Sequence, residues 1–306
     1  MNLLLVITAL TCADFYAEFI ESTMGAFTSI FVSIVRSYIK PAPLVHPWGL
    51  PLPSRLHQVL DKEFVDSFEQ VLVVGDVHGC YDELKDLLES SNSLKSNTLK
   101  LFVGDVVNKG PKSEEVLQFL IDNNTTCQTV RGNHDEVVLR EYLKSRNPDY
   151  TLVPKNSWIK NLDAKYANFL QELPYTISVP SLDIIVVHAG LVPGRGVGGT
   201  SIEEMVSMRD ILVGDPWGDE RGLLRGTKKV VPGSVPWGSL WDGPGHVYFG
   251  HDAIRLLQRW PHCTGLDTGC VYGKELTGIF VKGPRKGQVV SVKARSVYQR
   301  PGVASL

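Results

Sequence analysis

The chain has 306 residues and 43% apolar content, enough for one large domain or two small ones with a sizeable core. Its 31 basic and 33 acidic residues give a net charge of −2, so no global field draws it to nucleic acid or anionic membrane, and any phosphate recognition must be local. The five cysteines (Cys12, Cys80, Cys127, Cys263, Cys270) form no C-x-x-C pair, which indicates neither a zinc ribbon nor a disulfide framework but reduced, buried thiols in an intracellular chain.

Residues 1–40 hold two apolar runs, 3–10 and 25–35, with Asp14, Glu18 and Glu21 between them. Neither reaches the roughly 18 to 20 residues that span a bilayer. A signal peptide would use the small residues Ala13 or Ala17, but no basic flank precedes the run. Residues 24–29 fit the N-myristoylation pattern if translation starts at Met24, and Arg36 with Lys40 would suit a surface-lying helix. A cytoplasmic protein is expected, with association to an endomembrane or vacuole through this segment as the alternative. Residues 41–56, with Pro41, Pro43, Pro47, Pro51 and Pro53, read as an extended linker, and 57–306 as the catalytic domain.

From residue 71 the pattern alternates. Short apolar runs at 71–75, 99–103 and 127–131 read as buried strands, and helical spacing follows each at 81–88, 113–121 and 136–144. Such alternation predicts an α/β core with its ligands at the C-terminal strand ends. A helical insert at 155–172 precedes further strands at 175–179, 184–187, 246–249, 278–281 and 289–293, and a long loop at 213–245 is expected to be functional.

The strand ends carry the chemistry. The first is followed by Gly75-Asp76-Val77-His78-Gly79, the second by Gly104-Asp105 and the third by Gly132-Asn133-His134-Asp135. Later strands end in His188-Ala189-Gly190 and Gly250-His251-Asp252. Carboxylate, imidazole and amide without thiolate suit two divalent cations such as Mn, Fe or Zn. Asp105 is the expected bridge, with Asp76 and His78 on one ion and Asn133, His188 and His251 on the other.

These motifs, in this order, resemble the calcineurin-like metallophosphoesterases of the phosphoprotein-phosphatase superfamily. The resemblance covers residues 71–281 and implies a four-layer αββα sandwich with a dimetal site between its sheets. Protein serine/threonine phosphatases carry Asp and Arg where this chain has Asn108 and Lys109. That departure, with Gly250-His251-Asp252-Ala253 and residues 266–273, is similar to the ApaH-like branch, relatives of bacterial diadenosine tetraphosphatases. The branch implies a phosphoanhydride substrate: a dinucleoside polyphosphate, capped RNA or polyphosphate. A protein serine/threonine phosphatase is the alternative.

The expected mechanism is in-line attack on phosphorus by a hydroxide held between two cations. His134 would protonate the leaving oxygen. Asn108, in the place of the family's Asp, would accept a hydrogen bond from that imidazole through its amide oxygen but bring no charge. An uncharged partner weakens His134 as an acid, which matters for an alkoxide and little for a phosphate leaving group of pKa about 6. Lys109 and Arg209 are candidate phosphate clamps, although Arg209 would serve equally in a surface ion pair. Trp217, Trp237 and Trp241, with Arg221, Arg225, Lys228 and Lys229, would either stack a base and hold a polyphosphate or pack as core under a lid.

Overall fold

The computed structural model describes residues 46–214 and 224–300. The two N-terminal apolar runs, the pattern at 24–29, Pro41, Pro43, Trp217 and Arg221 lie outside the described residues. No described helix is long and apolar enough to cross a membrane.

Strand β1 (His57–Val59) and helix α1 (Lys62–Asp66), capped by the Asp61 side chain on Phe64 N, lead into the first sheet. There β2 (Gln70–Val74), α2 (Tyr81–Ser90), β3 (Thr98–Phe102), α3 (Ser113–Asp122), β4 (Cys127–Thr129) and α4 (Asn133–Lys144) alternate. A 3-10 stretch (Pro154–Asn161) and α5 (Ala164–Glu172) follow. The chain then runs through β5 (Thr176–Val179), β6 (Ile184–Val187), α6 (Gly196–Gly199), α7 (Ile202–Ser207), β7 (Asp210–Val213), β8 (Leu224–Thr227) and β9 (Ser234–Pro236). It ends with β10 (His246–Phe249), β11 (Gln258–Trp260), β12 (Cys263–Gly265), β13 (Glu275–Lys282) and β14 (Val289–Lys293).

One sheet has the order β14-β13-β2-β3-β4 and the other β1-β5-β6-β10-β12-β11. Val71, Val73, Leu99 and Leu101 of the first meet Ile177, Val179, Ile184 and Val186 of the second in a shared core. The alternate residues Leu72, Val74 and Phe102 pack outward on Leu84, Leu87 and Leu88 of α2 and on Val116, Leu117 and Leu120 of α3. Both faces of β2 and β3 are thus covered, which is why their sequences are continuously apolar. The outer face of the second sheet, with Val187, Val247 and Phe249, is covered by Met205 and Val206 of α7 and by Ile211 of the small sheet β8-β7-β9.

Several expectations differ in detail. Within the expected 213–245 loop the described residues form β8, β9 and a 3-10 turn, strands too short and too rich in Gly and Pro to announce themselves. The insert at 155–172 is broken at Leu162–Asp163, where Asp163 caps α5 by accepting from Lys165 N. Helix α4 starts at Asn133 instead of 136, because the Asp135 side chain accepts the Gly132 N–H at 2.8 Å and fixes the first turn. Residues 46–56, expected as linker, lie on the core: buried His46 donates to Glu136 Oε1 at 2.6 Å, and Leu50 packs on Leu139 and Ala167.

Candidate metal centre

β2, β3 and β4 are mutually parallel, and so are β6, β10 and β12, so their C-terminal ends gather donors in one place. Asp76 and His78 follow β2, Asp105 follows β3, Asn133 follows β4, His188 follows β6 and His251 follows β10. All these side chains are buried or nearly so. Asp76, Asp105 and His188 bring one donor atom each within 4.8 Å of one another.

Asp105 occupies the middle. Its Oδ2 is 3.5 Å from His78 Nε2, and its Oδ1 is 3.4 Å from His188 Nε2. Asp76 Oδ2 lies 4.0 Å from His78 Nε2 on one side. On the other, Asn133 Oδ1 is 2.9 Å from both His188 Nε2 and His251 Nδ1. One carboxylate therefore faces two donor groups, the arrangement a bridging ligand needs.

The donor chemistry fits divalent cations. Each imidazole has one nitrogen on a backbone carbonyl: His78 Nδ1 on Val107 O at 3.2 Å, His188 Nδ1 on Val103 O at 2.9 Å and His251 Nε2 on Ser207 O at 3.1 Å. That contact places the N–H there and turns the other nitrogen's lone pair inward, as outer-shell carbonyls do for metal-binding histidines. The inward nitrogens meet carboxylate and amide oxygens, lone pair against lone pair. Turning the Asn133 amide would satisfy His188 and His251, and Lys109 Nζ already meets His78 Nε2 at 3.0 Å, so the fit to cations rests on the donor set and on imidazoles fixed by backbone carbonyls. Burial, reinforced by Lys109, holds His78 well below its usual pKa, and burial with Arg209 does the same to His251, so both present the neutral form a metal requires. Burial and the charges of Asp267 and Asp105 push Asp76 up. Asp105 is also buried, yet His188, His134, His78 and Lys109 outweigh that and hold its carboxyl low.

The loops are held tightly. Asp135 is fully buried and accepts from Asp105 N (2.9 Å), Val106 N (3.0 Å), Val107 N (3.3 Å) and Gly132 N (2.8 Å). A Cβ on Gly132 would lie 2.1 Å from Asp105 Oδ1, and one on Gly250 1.9 Å from Asp76 Oδ1, so only glycine lets these strand ends close on the carboxylates. His78, Asp105, Asn108, Lys109 and His251 all have left-handed backbone, with φ of 47°, 49°, 73°, 71° and 66°.

His134 stands beside this group, its ring 5.0 Å from that of His78, and burial lowers its pKa to about 3. The hydrogen bond expected from His134 to the Asn108 oxygen runs the other way. Lys109 N–H donates to Asn108 Oδ1 at 2.9 Å, which turns the amide so that Nδ2 donates to His134 Nδ1 at 3.2 Å. The ring proton is therefore on Nε2. Lys109 Nζ lies 3.0 Å from His78 Nε2 and 3.1 Å from Tyr272 Oη, a cation standing where the imidazole lone pair points.

Arg209 borders the same cavity of about 680 Å³, bonded to Lys228 O at 3.0 Å and His251 O at 3.2 Å. Its Nε is 3.6 Å from Asp252, itself gripped by Arg255 at 2.7 Å. A second cavity of about 830 Å³ shares Lys109, Asn133 and His134 with the first. Asp267 lines the first cavity, buried and with its pKa raised by burial. It had no assigned role in the sequence, although Leu266-Asp267-Thr268-Gly269 has the same strand-end form as the other motifs. Trp237 and Trp241 do not reach this cleft; they are buried against Phe249 and Cys263.

Two packed sheets delivering carboxylates, imidazoles and an amide from strand ends define a metallophosphoesterase. The chain belongs to the calcineurin-like phosphoesterase family, whose profile matches residues 70–267. A zinc-dependent endopolyphosphatase of Saccharomyces cerevisiae is 27% identical, over 78% of this chain and 83% of its own length. A symmetrical bis(5'-nucleosyl)-tetraphosphatase of Coxiella burnetii is 29% identical, over 69% of this chain and 88% of its own. A crystal structure described as a candidate diadenosine tetraphosphatase superposes with a TM-score of 0.66 at 32% identity, covering 78% of this chain and 98% of that one.

Proposed function

We propose that this enzyme hydrolyses a phosphoanhydride bond inside a polyphosphate chain, with a dinucleoside polyphosphate, capped RNA or inorganic polyphosphate as substrate. Two divalent cations (Mn, Fe or Zn) would be held by Asp76, His78 and Asp105 on one side and by Asp105, Asn133, His188 and His251 on the other. When bound, they supply an acidified water and neutralise charge on the phosphoryl oxygens. Lys109 and Arg209 hold the non-bridging oxygens, and His134 faces the leaving oxygen with its Nε2–H.

The observation that carries this reading is the direction of the Asn108–His134 hydrogen bond. An amide N–H donated to Nδ1 keeps the imidazole neutral, because an imidazolium would set donor against donor. A neutral ring can stabilise a departing oxygen through Nε2–H but is a poor source of a full proton. Serine alkoxide needs that proton to leave; a phosphate, with pKa about 6, does not. A protein serine/threonine phosphatase would want a carboxylate at position 108. The basic lining also favours a polyanion: Lys109, Arg140, Arg209, Lys228 and Lys274 surround the first cavity, and Arg140, Lys155 and Arg300 the second.

The test is Asn108→Asp. General acid catalysis contributes roughly 10²- to 10⁴-fold, so the carboxylate should raise the kcat/KM ratio of a phosphopeptide over diadenosine tetraphosphate at least tenfold. A ratio left where it was would remove the leaving-group argument.

A further inference from the structure

We propose that Trp48 is the nucleobase-stacking residue of this enzyme, which makes a nucleoside polyphosphate its substrate in preference to bare polyphosphate; the inference rests on the phosphoanhydride reading above. Trp48 lies outside the residues matched to the family, in a stretch whose prolines suggest a linker. Its indole is 37% exposed and lines the cavity that holds the metal donors.

The chain on either side of it is fixed. His46 is 2% exposed, its Nε2 donates to Glu136 at 2.6 Å, and its Nδ1 accepts Trp48 N–H at 3.1 Å. Gly49 N closes the turn on His46 O at 2.9 Å, and Leu50 is buried beyond it. Glu136 is on the first turn of α4, two residues from His134. An aromatic ring is thus displayed to solvent on a turn tied to the catalytic helix. A residue serving only as core would be covered, whereas a rigidly presented ring binds a planar ligand with little ordering cost.

The surroundings fit a nucleotide. Lys228 Nζ lies 5.0 Å from the Trp48 ring centroid, and Arg209 and Lys274 border the same cavity, so cations stand with the indole around the donors. Ile254, 76% exposed, adds an apolar surface to the lining. Every base offers a π-face, so a single indole would accept different bases, and sequence-tolerant stacking is expected.

The experiment compares diadenosine tetraphosphate with linear inorganic polyphosphate on the full chain and on its Trp48→Ala and Trp48→Phe variants. Stacking on one base predicts that Trp48→Ala raises KM for the dinucleotide at least about fivefold more than KM for polyphosphate, with kcat moving little. Trp48→Phe should recover most of that loss, and a melting curve within a few degrees of the parent excludes unfolding as the cause. Equal changes on both substrates, or no change on either, overturn the inference and leave the phosphoanhydride reading standing. A parent enzyme that splits polyphosphate but no dinucleotide does the same. Cleavage of a phosphopeptide with neither anhydride overturns the underlying reading instead.

Discussion

Asp135→Asn is isosteric, yet it should be among the most damaging single-atom changes in the catalytic domain. The carboxylate accepts four backbone N–H groups, from Asp105 and Gly132 on Oδ2 and from Val106 and Val107 on Oδ1, at 2.8 to 3.3 Å. An amide keeps one oxygen, so whichever way it turns, its NH₂ faces two N–H donors. Hydrogen bonds to a charged group contribute about 1.5 to 3 kcal/mol each, so losing two costs about 3 to 6 kcal/mol. For domains of this size one kcal/mol moves the melting temperature by roughly 2 to 4 °C, which predicts a fall of about 6 to 24 °C. Differential scanning calorimetry measures it, with metal content determined on the same sample, because Asp105 is positioned by this clamp. A melting temperature within about 2 °C of the parent would refute the argument, even if activity were lost.

Trp237→Ala should cost about 3 to 5 kcal/mol, the range for truncating a buried aromatic, because the indole is 2% exposed and packs on Phe249 at 4.8 Å. Both substrates should then suffer alike, and a loss confined to nucleotides would contradict its placement in the core. A chain beginning at Leu56 should melt about 5 °C or more below one beginning at His46, since it leaves Glu136 without its His46 partner and uncovers Leu139. Equal melting curves would show that residues 46–55 add nothing.

The strands that carry the donors were plain in the sequence because β2 and β3 are buried on both faces, so runs such as Val71-Leu72-Val73-Val74 need no partner to be recognised. The candidate ligands could be named because each directly follows one of the runs read as strands. Asp267 was not given a role, because the strand before it, β12, has three residues and no period to read. Of the stretch 41–56 expected as linker, the described residues 46–56 are non-helical, as their prolines require, but proline content could not say whether the chain lies on the surface. That was decided by a contact between His46 and Glu136, 90 residues apart. The two tryptophans were ambiguous because an indole looks the same in a lid and in a core. Asn108 shows a subtler limit: the residue was visible, but only Lys109 N–H determines which end of its amide meets His134.

The left-handed backbone at His78, Asp105, Asn108, Lys109 and His251 has a consequence beyond catalysis. For an ordinary residue this costs about 1 to 2 kcal/mol and for Asp and Asn less, so His78, Lys109 and His251 alone reach about 3 to 6 kcal/mol, a large part of the stability of an ordinary domain. Cations that bind only the folded chain would offset this by mass action, each adding about 2.7 kcal/mol when free metal stands a hundredfold above its dissociation constant. The folded population then tracks metal supply. In a metal-poor compartment the domain would lose this stabilisation and become easier to unfold and degrade, so cation supply would bear on its abundance as well as on its turnover.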